Sequence, residues 1–595
     1  MLLRPLKIAA APLLMSLSLS LLAPAAHAAK LATPTEQLHA LFQKSWDEDL
    51  ARNPLSASYY GERRYNALLP DLSLKGGDTD LGRVRQRLAA LRAIPKAKLP
   101  PVEQLNHQLF EYQLQEELDA APFKLYLEAI GPRGGVQTAG EWAESLPFET
   151  LEDYRNWLSR LRALPRYISQ TQALLQQGMA ERRVPPRILM DRVQSQLRSL
   201  LVGKAEDSTF YKRFASIKPS IPAEQAEALR AEARALINEQ LLPAYRSFEA
   251  FFSQRYLPAC RETVGAWDLP DGEALYANRA RHYTTTTMTP QQIHDVGLRE
   301  VARIEGEMDK LMQEIGYKGT RAEFFNWLRT DPQHFFSDPQ KLYEAYVLKA
   351  KQIEPELPKL FGKLYRTPFG VKAIPDITAP HTYTAYYSPP SLDGRRAGYY
   401  TVNLYRPEVR PKWEIEVLTV HESVPGHHLQ IALAQELGEL PPFRRAAGYT
   451  AFVEGWALYS ERLGYEIGLY KDPYSHFGQL SYDMWRAVRL VVDTGIHVKR
   501  WSRQQAIDYF MAKAPKAEAD IINEVDRYIS WPGQALGYKI GQLKILELRA
   551  MAEQKLGARF DLRAFHDHLL GAGALPLELL ERWMQDWVSA QAARR

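Results

Sequence analysis

Strand-forming sequence is scarce in this chain, and that scarcity restricts its fold more than any other feature. The clearest candidates are residues 381–387 (His-Thr-Tyr-Thr-Ala-Tyr-Tyr) and 398–404 (Gly-Tyr-Tyr-Thr-Val-Asn-Leu), both rich in aromatic and β-branched residues. Pro389-Pro390 and Asp393-Gly394 lie between them, so the pair reads as a hairpin. Elsewhere apolar residues recur at helical spacing, and helices are predicted at 35–52, 150–178, 223–254, 289–314, 413–435, 444–467, 481–498 and 503–513. A mostly α fold with a small hairpin or sheet follows. At 595 residues and 46% hydrophobic the chain can bury a large core. The Pro-containing joints near 95–101, 185–187 and 389–390 read as inter-helix turns and not as linkers. One helical domain over 29–595, with two lobes around a deep cleft, is the simplest architecture.

The first 28 residues read as an export signal. Arg4 and Lys7 precede an apolar run from Ile8 to Leu22, and Ala26-His27-Ala28 supplies small residues at a cleavage site. The mature chain is therefore expected to be periplasmic or secreted, with no stable membrane insertion, because no later apolar run is long enough to span a bilayer. Residue 29 is Ala, not a lipid-accepting Cys. Removing Arg4 and Lys7 lowers the net charge from +5 to +3, too small a bias to argue for nucleic acid. Cys260 is the only cysteine, which excludes an intramolecular disulfide and a thiolate metal site.

Residues 421–430 read His-Glu-Ser-Val-Pro-Gly-His-His-Leu-Gln and place three of the 14 histidines, with a glutamate, inside eight residues of one predicted helix. Histidine is the commonest metal ligand, and a carboxylate beside the first ligand is what a zinc hydrolase uses as general base. Trp413, Val417 and His421 follow at i, i+4 and i+8, which puts His421 on the buried face. Pro425 occupies the i+4 position where a second histidine would sit in a His-Glu-x-x-His site. It lacks an N–H for the His421 carbonyl, so the helix is expected to bulge or kink there, with Gly426 tolerating the distortion. On a straight helix His427 would point away from His421, and His428 would lie about 10 Å further along the axis. A two-residue bulge would return His427 to the ligand position. His427 is preferred over His428 on that ground, with His428 left as the alternative.

Two histidines need a third protein ligand, and Glu454, 33 residues after His421, is the candidate. The interval leaves room for one connection (Gly438, Pro441, Pro442) and the start of a second helix. Gly455 would allow close helix approach. Leu458 and Glu461 share the Glu454 face, so Glu461 is placed to orient a ligand histidine; pairing with Arg462 is the bland alternative.

These stretches, His-Glu-x-x-Pro-Gly-His-His-x-Gln, Phe-Val-Glu-Gly-Trp-Ala, Arg-Leu-Val-Val-Asp-Thr-Gly and Pro-Gly-Gln-Ala-Leu-x-Tyr-Lys-x-Gly, resemble the bacterial domain-of-unknown-function 885 (DUF885) family over most of the mature chain. That family looks like a distant relative of the gluzincin metallopeptidases, the clan of thimet oligopeptidase, neurolysin and angiotensin-converting enzyme. The resemblance implies a neurolysin-like, mostly helical body with a channel around the zinc. It maps a His-Glu-x-Gly-His motif and a following glutamate onto His421, Glu422, His427 and Glu454. The two extra residues before Gly426-His427 break the pattern. It further implies that one of the predicted strands is an edge that holds an extended peptide by main-chain pairing.

Two later segments offer groups for the transition state. Arg486, Arg489, Asp493 and His497 share one helical face, where Asp493 is placed to hold His497 at i+4. Leu490, Val491 and Val492 make this helix too apolar to be peripheral, although a charged stripe is ordinarily a solvated face. Around Tyr538, in Trp-Pro-Gly-Gln-Ala-Leu-Gly-Tyr-Lys-Ile-Gly, small residues allow close backbone approach. Tyr538 resembles the late-chain tyrosine that gluzincins aim at the oxyanion. The expectation is a zinc metallopeptidase for short peptides: Zn²⁺ on His421, His427 and Glu454, Glu422 as general base, and Tyr538 with His497 as oxyanion donors. Carboxypeptidase, dipeptidase and oligopeptidase modes stay open. The alternatives are a zinc amidohydrolase for cell-wall fragments and a non-catalytic peptide- or metal-binding protein, the latter disfavoured because a binding-only site has no need of Glu422.

Overall fold

Helix starts in this chain are set by local capping. Thr33, Thr150, Thr289, Thr320 and Ser502 each accept the backbone N–H three residues on, while Glu36, Asp153, Gln292, Glu323 and Gln505 bond back to the cap. The computed structural model describes residues 32–375, 379, 384–438 and 440–594, apart from the side chains of residues 75, 77 and 78. The segment read as an export signal and residues 381–383 of the first predicted strand lie outside the described residues. Among the described residues no helix is long and apolar enough to cross a membrane.

The fold is mostly α with one small sheet. The helices that position the site are α1 (Pro290–Ile315), α2 (Ile415–Glu422), α3 (His427–Glu436), α4 (Thr450–Glu466), α5 (Pro473–His497), α6 (Glu518–Ser530) and α7 (Gly537–Leu556). Strands β1 (Phe369–Ala373), β2 (Ala385–Ser388) and β3 (Gly398–Val402) form the sheet in the order β1-β3-β2. β3 runs parallel to β1 and antiparallel to β2, with Tyr387 opposite Tyr400. The expected hairpin is β2–β3. The third strand, Phe-Gly-Val-Lys-Ala, is too short and too mixed to announce itself in the sequence.

Three helix expectations need correction. The helix predicted over 413–435 is two helices, α2 and α3, separated by residues 423–426. The one predicted over 444–467 begins at Thr450, after a separate turn of helix at Pro442–Ala446. The one predicted from 481 begins at Pro473, because Asp472 caps the N–H groups of Tyr474 and Ser475 and Pro473 fits the first turn.

Two large apolar cores flank α5. Val488, Val491 and Val492 face one and Leu490 faces the other, so the helix is buried on all sides from Phe477 to Val492 apart from Trp485. Its charged stripe is therefore interior. Helices α4 and α7 cross closely where Gly455 meets Gly541: a Cβ on Gly541 would stand 1.8 Å from the Ala451 carbonyl oxygen. This contact brings Tyr538, one turn before Gly541, alongside α4. Replacing Gly541 by Ala is expected to force the helices apart and to destabilise the fold by roughly 1–3 kcal/mol. Urea unfolding followed at 222 nm should show the midpoint falling with an unchanged slope.

Candidate metal centre

The break between α2 and α3 follows from Pro425, which has no N–H to continue the helical ladder. The chain leaves the helix at Ser423, and the Val424–Pro425 peptide is cis. The Gly426 N–H reaches back to the Val420 carbonyl (3.0 Å) and the His428 N–H to that of Ser423 (2.9 Å). Gly426 is required by contact: a Cβ there would sit 2.0 Å from the His421 carbonyl oxygen. The Pro425 carbonyl accepts from Trp456 Nε1 (2.8 Å) and Ser460 Oγ (3.4 Å) on α4. The chain thus turns back in a full break, sharper than the bulge or kink expected from Pro425, and α3 starts at His427.

This turn brings His427 to His421, with ring centroids 4.9 Å apart. Glu454 on α4 completes the group: its Oε2 lies 3.6 Å from His421 Nε2 and 3.3 Å from His427 Nε2. One ligand atom from each of the three lies within 4.8 Å of the others. Bonds of 2.0–2.1 Å in a tetrahedron space ligand atoms by about 3.3 Å, so the cluster is close to the spacing zinc needs. The donor set fits as well. Glu454 Oε2 and His427 Nδ1 are buried without a hydrogen-bond partner, a costly state that a cation on the carboxylate would relieve.

The electrostatics agree. Burial pushes the Glu454 carboxyl up, but the facing His427 and His421 rings outweigh it and hold it well below the carboxylate range. Burial pulls His421 down, yet the nearby Glu454 carboxylate and the hydrogen bond to Glu461 raise it to about 9. His421 Nδ1 donates to Glu461 Oε1 at 2.8 Å, which leaves Nε2 facing the cluster. Glu461 is fully buried, with Arg486 Nη2 3.4 Å away. It orients a candidate ligand from behind, as carboxylates do in histidine metal sites. Glu422, next to His421, is half-buried, and its side chain makes no hydrogen bond or ion pair among the described residues.

His428 points elsewhere. Its Nε2 donates to the Thr367 carbonyl (3.0 Å) and its Nδ1 accepts from Tyr387 (2.8 Å), while burial depresses it to about 4. His497 is not placed for the role expected of it. Its Nδ1 accepts the Ala266 N–H and its Nε2 donates to the Tyr528 carbonyl, both at 2.9 Å, and burial depresses it to about 3. No donor remains for an oxyanion. Nor does Asp493 hold it: Asp493 accepts from the Tyr276 hydroxyl (2.6 Å) and the Gly533 N–H (3.0 Å), and burial raises its carboxyl to about 7. An i+4 spacing permits a pair, but better donors from other segments reached both groups first.

Tyr538 is buried on α7; burial chiefly, and then the Glu454 charge, raise its hydroxyl above the usual range against the lowering pull of Arg527. Arg527 Nη2 donates to its hydroxyl oxygen at 3.0 Å. Arg527, Glu524 and Tyr387 are site neighbours that the sequence reading missed. Tyr387 stacks at 6.3 Å from His427. The spacing of Glu524, Arg527 and Tyr528 at i, i+3 and i+4 was the available signal, but the same spacing is common on solvated helices.

Residues 54–584 match the family described as "Bacterial protein of unknown function (DUF885)", and the chain belongs to it. No curated protein matches. The crystal structure of a "putative lipoprotein" from Colwellia psychrerythraea is similar at 30% identity and a TM-score of 0.89, over 94% of this chain and all of that one. A second "putative lipoprotein of unknown function", from Shewanella oneidensis, has 20% identity and a TM-score of 0.72 over 93% of this chain and all of that one, a likeness of fold alone.

If the cluster binds metal, His427→Ala should abolish stoichiometric zinc binding, while His428→Ala should retain it. Isothermal titration of the two proteins checks this, and equal mild losses would contradict the geometry.

Proposed function

We propose that this protein is an exported zinc-dependent metallopeptidase that hydrolyses short peptides. The observation that carries the reading is the convergence of His421, His427 and Glu454 beside an unpaired, half-buried Glu422. A structural metal site has no use for that last carboxylate. The order of these residues also resembles that of the gluzincin peptidases.

Bound by His421, His427 and Glu454, zinc would supply Lewis-acid polarisation of the scissile carbonyl and acidify water. Glu422 takes a proton from the attacking water as its oxygen bonds to the carbonyl carbon. When the C–N bond breaks, Glu422 returns that proton to the leaving nitrogen. Tyr538 donates to the oxyanion. Glu461, backed by Arg486, keeps His421 Nδ1 protonated and its ring fixed. β2 is an edge of the sheet, and its Tyr387 contacts both His427 and His428. An extended peptide added to this edge would pass beside the cluster.

Export is supported by the N-terminal signal pattern and by the relative at 30% identity, which is named a "putative lipoprotein". N-terminal sequencing of protein recovered outside the cytoplasm should begin at Ala29; retention of residues 1–28 would refute it.

Glu422→Gln should keep zinc and bind peptide yet lose turnover, because an amide preserves the shape without accepting a proton. Digestion of a peptide library read by mass spectrometry tests both proteins. Cleavage by the Gln variant at the parent rate would remove the general base. A parent protein that leaves peptides intact but opens a cell-wall amide would move the substrate class.

A further inference from the structure

A buried cationic clamp surrounds Tyr538. The Arg489 guanidinium lies 4.3 Å over the centroid of its ring, and Arg527 Nη2 donates to its hydroxyl oxygen at 3.0 Å. Glu524 links the two, at 3.0 Å from Arg489 and 3.5 Å from Arg527. Tyr528 accepts from Arg489 Nε (3.1 Å), and Gln534 accepts from Arg527. All six side chains are buried.

Two guanidiniums and the carboxylate they share are buried beside the phenol here. For packing alone this is an expensive choice, since well-packed apolar residues would serve as well or better. The geometry suits a different task. A guanidinium that occupies the lone pair of a phenol oxygen leaves the hydroxyl hydrogen as the part to give away, and by drawing density from the oxygen it strengthens that hydrogen as a donor. Among the described residues the Tyr538 hydrogen has no acceptor. Arg489, stacked on the ring face, stops the ring from turning away.

We propose that Arg527 is a positioning residue: it orients the Tyr538 hydroxyl toward the developing oxyanion and strengthens its hydrogen bond, while Arg489 holds the ring. The inference rests on the reading of Tyr538 as oxyanion donor and adds the group that makes it one.

The test is a double-mutant cycle on the zinc-loaded mature enzyme with one cleaved peptide. Tyr538→Phe should lower kcat by on the order of 10²–10³ with KM unchanged. Arg527→Gln should lower kcat by roughly 10- to 100-fold, the scale of a hydrogen bond to a charged group, and Arg527→Lys should recover part of the loss. The double variant should be no slower than Tyr538→Phe alone, because without the hydroxyl there is nothing left to orient. Losses that multiply, or an Arg527→Gln defect confined to KM, would overturn the proposal; so would an unchanged kcat in Tyr538→Phe. A readout independent of turnover separates this failure from that of the peptidase reading. In protein labelled with 3-fluorotyrosine, the ¹⁹F resonance missing from Tyr538→Phe should shift and broaden in Arg527→Gln. An unmoved resonance defeats the clamp whether or not peptides are cleaved. If Arg527→Gln does not fold, Arg527→Lys carries the same cycle and the same spectrum, with smaller expected changes.

Discussion

The hydrogen bond from the Trp456 indole to the Pro425 carbonyl holds the site together. A helix broken at a proline leaves carbonyls without partners, and a buried carbonyl must find one. Here the partner comes from α4, the helix that also carries Glu454. Trp456 and Ser460, four residues apart, grip the break, while Glu454 and Glu461, seven apart, flank His421. One helix therefore satisfies the interruption, supplies a candidate ligand and orients a second. Moving α4 would unsettle all three roles at once.

Behind this arrangement stands α5, which carries charge through the interior. Asp483 pairs with Lys539 of α7 (2.5 Å) and Arg303 of α1 (2.8 Å). Arg486 meets Glu461 of α4, and Arg489 meets Glu524 of α6. The buried ions would be costly without their partners, so the pairs tie four surrounding helices to α5 in a defined register. Apolar packing tolerates small slides between helices; charge pairs at this depth tolerate few. The consequence is a support in which His421, Glu454 and Tyr538 keep fixed relative positions, as the proposed chemistry requires.

Local chemistry was legible before the fold was known. Helical period announced eight helical spans, and the Pro/Gly break announced the place where one of them fails. The cluster of His421, Glu422 and His427 was visible because its members are neighbours in sequence, and Glu454 because Gly455 and Glu461 gave its helix a readable face. β1 was not legible, since five mixed residues carry no pattern until β3 lies beside them.

The sequence by itself determined the helical class, the interruption at Pro425-Gly426 and the residue types available for metal chemistry, because these depend on bonds within a few residues. Tertiary structure alone decided which histidine faces His421, that His497 is spent on two backbone groups, and that the charged stripe of α5 is buried. It also set Arg489, Arg527 and Glu524 around Tyr538. Those outcomes turn on which distant donor or acceptor arrives first at a buried polar atom, and spacing along the chain carries no information about that contest.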